Sequence, residues 1–305
     1  MRTTAKKYSC ITALTALVTL PGLAQAEEYV IPLGDFGGRP MVEVTIGSHG
    51  PFNMILDTGA PSVILDKGIG TDLGLTVIGE QQMGSPGGKG ITAVIFEGAV
   101  VGLGEYTFEA EAITGMDFSM FKRKTAPDSI STSAQRQDFP PGVFGFWALQ
   151  EGVVSIDYKA HTLTINTDAA LNPADPAVLK LARTPPFPYP EFEMTVGGIA
   201  IKGHIDSGSG GLFTMSTDWI DKLPLKEEAK VMGQAMLADG PREIWGAQLD
   251  GDVVIGGQTI KDPQISFMNN INGVNVGSGF FKEGGFRIDR ENDLIEFIYN
   301  ARDEN

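Results

Sequence analysis

Cysteine is all but missing from this chain: the single one, Cys10, lies within the first twenty residues. A framework of intrachain disulfides is therefore excluded, as is a thiolate metal centre. Histidine is scarce too, with three in 305 residues, so no credible zinc ligand set exists. Basic residues are in the minority, 23 Lys and Arg against 38 Asp and Glu, for a formal charge of −15. A surface of that sign repels nucleic acid and anionic lipid. No apolar run reaches the roughly 20 residues of a membrane span, so no stable membrane insertion is expected. Gly277-Ser278-Gly279 lacks the lysine and helix context of a phosphate loop. Asp289-Arg290-Glu291-Asn292-Asp293 lacks the central glycine of a calcium loop and is expected to be a solvated turn.

The first residues have the layout of a secretory leader. Arg2, Lys6 and Lys7 form a basic start, Ile11 to Leu20 is uncharged and apolar, and Ala24-Gln25-Ala26 is a small-x-small site. A signal peptide over residues 1–26, cut after Ala26, predicts a secreted or periplasmic protein. Cys10 precedes the apolar run, so it is no acylation site, and it leaves with the leader. An exported chain without disulfides must rely on its core, which fits a bacterial periplasm.

The chain is rich in turn formers, with 39 glycines and 18 prolines. Between them lie short Val/Ile/Thr/Phe runs, which predict an all-β fold. Tyr29–Leu33, Met41–Ile46, Phe52–Leu56, Ile91–Val101, Tyr106–Thr114 and the pair Val153–Tyr158/Thr162–Ile165 read as strands. Residues 79–90 read as a Gly-rich loop and 122–137 as an exposed polar loop. A Pro-rich stretch with one short helix candidate, Pro176–Leu181, reads as a linker. After it the order of elements repeats: Phe192–Gly197 matches Val42–Gly47, Gly251–Gln258 matches Gly98–Glu105, and Gly277–Asp289 matches Gly145–Asp157 without a gap. The expected organisation is an N-terminal lobe at 27–167, a linker at 168–190 and a C-terminal lobe at 191–305, related by a pseudo-two-fold axis.

The axis gives meaning to one repeated stretch, Met54-Ile55-Leu56-Asp57-Thr58-Gly59-Ala60 and His204-Ile205-Asp206-Ser207-Gly208-Ser209. In each copy an apolar run delivers one carboxylate into a tight turn. A two-fold axis brings the same loop of each lobe together. Two carboxyls a few ångströms apart cannot both ionise, so the pair holds one proton. One carboxylate can then take a proton from water while the other carboxyl polarises a carbonyl. Peptide hydrolysis follows without a metal, a cofactor or a Ser or Cys nucleophile. Gly59 and Gly208 let the backbone turn and bring N–H groups near the carboxylates. Thr58 and Ser207 carry hydroxyls able to hydrogen-bond across the lobe boundary.

These two stretches resemble the active-site motifs of aspartic peptidases, and the Ala60 form is similar to the retropepsin-like branch. The family's apolar-apolar-Gly motif is met by Val143-Phe144-Gly145 and, with an Asn in the first place, by Asn275-Val276-Gly277. The resemblance spans nearly the whole chain beyond the leader, as two retropepsin-like lobes in tandem. It implies a bilobal acid-protease fold, with Asp57 and Asp206 as the catalytic pair and Thr58 and Ser207 as their support. It also implies a substrate flap at Gly84, Ser85, Pro86, Gly87 and Gly88, and an extended polypeptide substrate bound largely through its main chain. A monomer is expected because both lobes are in one chain. The rival reading is a silent peptide-binding or regulatory protein on the same scaffold.

The copies are unequal. Ala60 stands where the second copy has Ser209; the resemblance to pepsin-like members implies that a hydroxyl at this place hydrogen-bonds the carboxylate, which would make Asp206 the more readily ionised partner. Ile55 stands where the second copy has His204, which shares a strand face with Asp206. About fourteen residues separate the expected cut from the strand at Met41, so a long inhibitory pro-segment is not expected.

Overall fold

A computed structural model describes residues 27–83, 90–119, 121, 139–183, 189–237 and 240–299. The leader 1–26, the expected flap residues Gly84 to Gly88 and the loop 122–137 lie outside the described residues. The fold is all-β and bilobal, with one short α-helix among the described residues, Lys67–Asp72, capped by the Asp66 carboxylate.

Each half builds a sheet around a fully buried apolar run. In the N-terminal half the eight strands run Gly34–Phe36, Arg39–Ile46, His49–Asp57, Gly142–Gly145, Val63–Asp66, Tyr106–Met116, Ile91–Leu103 and Val77–Met83. Arg39–Ile46 shows the period of a half-exposed strand: Val42, Val44 and Ile46 are buried, while Glu43 and Thr45 are exposed. Met54-Ile55-Leu56 and Val63-Ile64-Leu65 are buried on both faces, as central strands are. The C-terminal half has nine strands with the same core. Ile199–Asp206 runs parallel to Val274–Gly277, which pairs with Phe213–Met215, which runs parallel to Gln264–Phe267.

A third sheet joins the halves. Its six strands run Glu28–Pro32, Thr162–Asn166, Val153–Asp157, Gly284–Asp289, Leu294–Tyr299 and Val178–Lys180. At its centre Ser155 pairs with Arg287, which is its own counterpart in the repeat, so the pseudo-two-fold passes between them. One apolar core runs through both halves, with Phe146 of the first packing on Phe286 of the second. Removing a buried Phe costs about 3–5 kcal/mol.

Three expectations change. Pro176–Leu181 contains a strand rather than a helix: Val178–Lys180 pairs with Leu294–Glu296 at the edge of the joining sheet. Residues 79–83 are no loop but belong to strand Val77–Met83, paired with Ile91–Phe96. The second half has a counterpart hairpin, Lys230–Leu237 with Gly240–Gln248. The turn after strand Gly284–Asp289 is also not simply solvated. Asp289 is buried and its carboxylate accepts from the N–H groups of Leu171 and Asn292.

Candidate active site

Asp57 ends strand His49–Asp57 and Asp206 ends strand Ile199–Asp206. After each the chain turns back at once, Ala60 N–H donating to Asp57 O at 3.3 Å and Ser209 N–H to Asp206 O at 3.0 Å. A neighbouring strand runs beneath each turn and ends in glycine, Gly145 or Gly277. A Cβ on Gly145 would stand 2.3 Å from Ser62 O, and one on Gly277 2.4 Å from Gly211 O. No side chain fits there, which is the physical reason for the glycine in both apolar-apolar-Gly motifs.

The halves are clasped at these turns by reciprocal bonds. Thr58 N–H donates to Ser207 Oγ, and Ser207 N–H donates to Thr58 Oγ1, each at 2.9 Å. Each hydroxyl then donates across the boundary at 2.7 Å, Thr58 Oγ1 to Ile205 O and Ser207 Oγ to Leu56 O. Both residues are fully buried, so every donor and acceptor in the clasp depends on its partner.

The clasp brings the Asp57 and Asp206 carboxyls to the same spot, a Cβ on Gly59 standing 3.0 Å from Asp57 Oδ1 and 3.1 Å from Asp206 Oδ1. Asp57 Oδ1 also accepts from Gly59 N–H at 2.6 Å and from Gly208 N–H at 3.3 Å. A Cβ on Gly208 would lie 2.5 Å from Asp57 Cγ, and one on Gly59 3.1 Å from Asp206 Oδ1. Burial, and then the charge of Asp206, push the Asp57 carboxyl up to about 8, against the opposing pull of the Gly59 and Gly208 amides. Such an arrangement can hold one proton between two oxygens and offer both an acid and a base to a bound molecule.

Around the pair lie further residues, of which the sequence singled out His204 for its strand face and Asn275 only for its place in the apolar-apolar-Gly motif. Asn275 Nδ2 donates to Asp206 Oδ2 at 2.5 Å. The expected donor was Ser209. Among the described residues the hydrogen bonds of Ser209 are those of its backbone, its N–H to Asp206 O and its carbonyl accepting from Ser278 N–H at 2.7 Å. Tyr158 and Tyr189 have hydroxyls pushed up by burial and then by the charges of both aspartates. Tyr158 OH is 3.1 Å from Ser278 Oγ, which donates to Ser207 O at 2.6 Å. The equivalent carbonyl, Thr58 O, is held by a different donor, Trp147 Nε1 at 2.6 Å. Trp147 is in turn held by Arg290, whose guanidinium lies 5.2 Å from the indole and donates to Trp147 O and Leu149 O. His204 is buried and stacked on Tyr189, with ring centroids 6.1 Å apart. Burial holds its imidazole below the ordinary range, although Asp206 and Glu191 pull the other way. Among the described residues no group of three or more His, Cys, Asp or Glu is placed to hold a metal ion.

Comparison with known proteins adds an independent line. A search of curated proteins found no match. A family profile described as aspartyl protease matches twice, at residues 42–133 and 192–280. The first match contains the Asp57 turn and the second the Asp206 turn, as two lobes in one chain require. Together the matches span more than half of the sequence, and the chain belongs to the aspartyl protease family.

Proposed function

We propose that this chain is an exported aspartic endopeptidase, secreted or periplasmic, acting as a monomer on extended polypeptide. The observation that carries the reading is the approach of the Asp57 and Asp206 carboxyls under the Thr58–Ser207 clasp. Asp57 and Asp206 are the catalytic pair in this reading, and Thr58, Gly59, Ser207 and Gly208 fix their geometry. Export rests on the leader pattern ending at Ala26.

The chemistry follows from the asymmetry of the pair. Burial and the charge of Asp206 favour the neutral form of Asp57, so Asp57 is the acid and Asp206 the base. Water held between the carboxyls gives a proton to Asp206 and attacks the peptide carbon. Asp57 donates its proton to the carbonyl oxygen, giving a neutral tetrahedral diol. Collapse returns the hydroxyl proton to Asp57, while the proton on Asp206 passes to the leaving nitrogen and the C–N bond breaks. Both carboxyls end as they began. The stems Val77–Met83 and Ile91–Leu103 lead toward the expected flap at Gly84 to Gly88, which would add main-chain contacts to an extended substrate.

Cleavage of an unfolded protein between pH 3 and 8 tests the reading, with the Asp57→Asn and Asp206→Asn variants beside the unaltered mature chain. The expectation is cleavage by the unaltered chain alone, loss of at least about 10³-fold in either variant, and inhibition by a peptide with a central hydroxyl in place of the scissile carbonyl. Binding of that peptide with no cleavage at any pH would favour the silent scaffold instead.

A further inference from the structure

The two carboxyls stand in front of different walls. In the N-terminal half Val143 lies between Ile55 on one neighbouring strand and Ile64 on the other. At the equivalent positions of the C-terminal half, Asn275 lies between His204 and Thr214. Cross-strand neighbours share a face of the sheet, and so do residues two apart on one strand. Each triplet therefore lies directly behind its aspartate, apolar behind Asp57 and polar behind Asp206.

Asn275 is 9% exposed, and its two amide arms have different fates. Nδ2 donates to Asp206 Oδ2 at 2.5 Å. Oδ1 is buried with no hydrogen-bond partner among the described residues. Turning the amide over would set its oxygen against a carboxyl oxygen and take the donor away from Asp206. A buried amide with one arm unmet disfavours folding relative to the valine that fills the equivalent place. What it brings in return is a single N–H aimed at one carboxyl of the pair.

The groups that face Asp206 come from five elements. They are Asp57 from the other half, His204 on its own strand, Asn275 on the adjacent strand, Tyr158 after strand Val153–Asp157 and Tyr189 ahead of strand Phe192–Val196. Glu191 faces His204 in turn. Asp57 competes for the same proton. We propose that Asn275 is a positioning residue that assigns the proton of the pair, holding Asp206 as the charged carboxylate and leaving Asp57 as the acid. Its consequence for catalysis rests on the hydrolysis proposed above, whereas the proton assignment is a property of the resting protein and can be measured without turnover.

The test is a reciprocal exchange of the two walls. Asn275→Val removes the donor from Asp206, Val143→Asn offers one to Asp57, and the double variant does both. Aspartate carboxyl carbons are followed by ¹³C NMR against pH in each folded protein and assigned with Asp57→Asn and Asp206→Asn. In Asn275→Val the first ionisation of the pair rises by about one pH unit or more, as loss of a hydrogen bond to a charged group predicts. The acid limb of kcat/KM moves up by the same amount. In the double variant Asp57 becomes the first to ionise. A first ionisation of the pair that is unchanged in Asn275→Val overturns the proposal. If Asn275→Val does not fold, Val143→Asn decides alone: a lowered Asp57 step supports the assignment and an unmoved one overturns it. Absence of cleavage by the unaltered chain would overturn only the hydrolysis, since the carboxyl titration still reads the proton.

Discussion

The halves agree in backbone and differ in what stands behind the aspartate turn. Gly145 and Gly277 serve the same crossing, and the clasp bonds of Thr58 and Ser207 mirror one another atom for atom. Behind them the N-terminal wall is Ile55, Val143 and Ile64, and the C-terminal wall is His204, Asn275 and Thr214. Even the carbonyls of the clasp residues have different donors, Trp147 for Thr58 O and Ser278 for Ser207 O. On the proton assignment proposed above, duplication fixes where the carboxyls go, and divergence of their surroundings fixes which one carries the charge. A symmetric pair in symmetric surroundings would share its proton evenly. Here the surroundings decide.

Glycine substitution breaks the comparison most severely. A Cβ on Gly208 would stand 2.5 Å from the Asp57 carboxyl carbon, whereas one on Gly59 would stand 3.0 Å from Asp57 Oδ1 and 3.1 Å from Asp206 Oδ1. Gly208→Ala must therefore displace the Asp57 carboxyl, and misplacement of a reacting group by an ångström costs about 10²-fold. Gly59→Ala is expected to lose activity to a smaller degree. Measured kcat/KM values that rank the two in the opposite order would contradict this geometry.

The clasp offers a milder break that should act equally from both sides. Thr58→Val and Ser207→Ala each remove a hydroxyl that donates one buried bond and accepts another. Each is expected to lower unfolding stability by about 2–4 kcal/mol, because buried partners are left unmet. The double variant should fall short of the sum, since the two hydroxyls serve one network. Additive losses in a denaturant double-mutant cycle would show that the two sides act independently.

Much of this was legible in the sequence because it rests on short local rules. The apolar run into Asp-Thr-Gly or Asp-Ser-Gly, the glycines beneath the turns and the repeated order of strands are all local features. The joining sheet was not legible, because Val153–Asp157 finds its partner Gly284–Asp289 far along the chain. Hairpin Lys230–Leu237/Gly240–Gln248 escaped for another reason. Strand Lys230–Leu237 is exposed over most of its length, with Val231, Met232 and Met236 in the open, so no alternation marks it. Asn275 was visible only as a poor fit to an apolar motif. Its contact with Asp206 depends on the parallel register of two strands, which a single sequence does not state. Ser209 drew attention because it replaces Ala60 and because pepsin-like members carry a hydroxyl there, and spatial neighbourhood gave the donor role to Asn275 instead.

The central claim is that burial, and then the charge of the neighbouring Asp206 carboxyl, let Asp57 keep its proton where an ordinary aspartate has lost it. Folding stability against pH, measured for the unaltered protein and for Asp57→Asn, reads this directly. The folded-state affinity of Asp57 is raised, so its contribution is fully present below the unfolded value near pH 4. That contribution is lost as pH rises toward about 8. The lowered His204 contributes in the opposite sense, losing stability as pH falls, and is present in both proteins. The account predicts that the stability of the unaltered protein relative to Asp57→Asn falls steadily from pH 4 to 8, by up to about 1.4 kcal/mol per pH unit. Two parallel curves across that range would mean that Asp57 titrates as an ordinary carboxylate, and would contradict it.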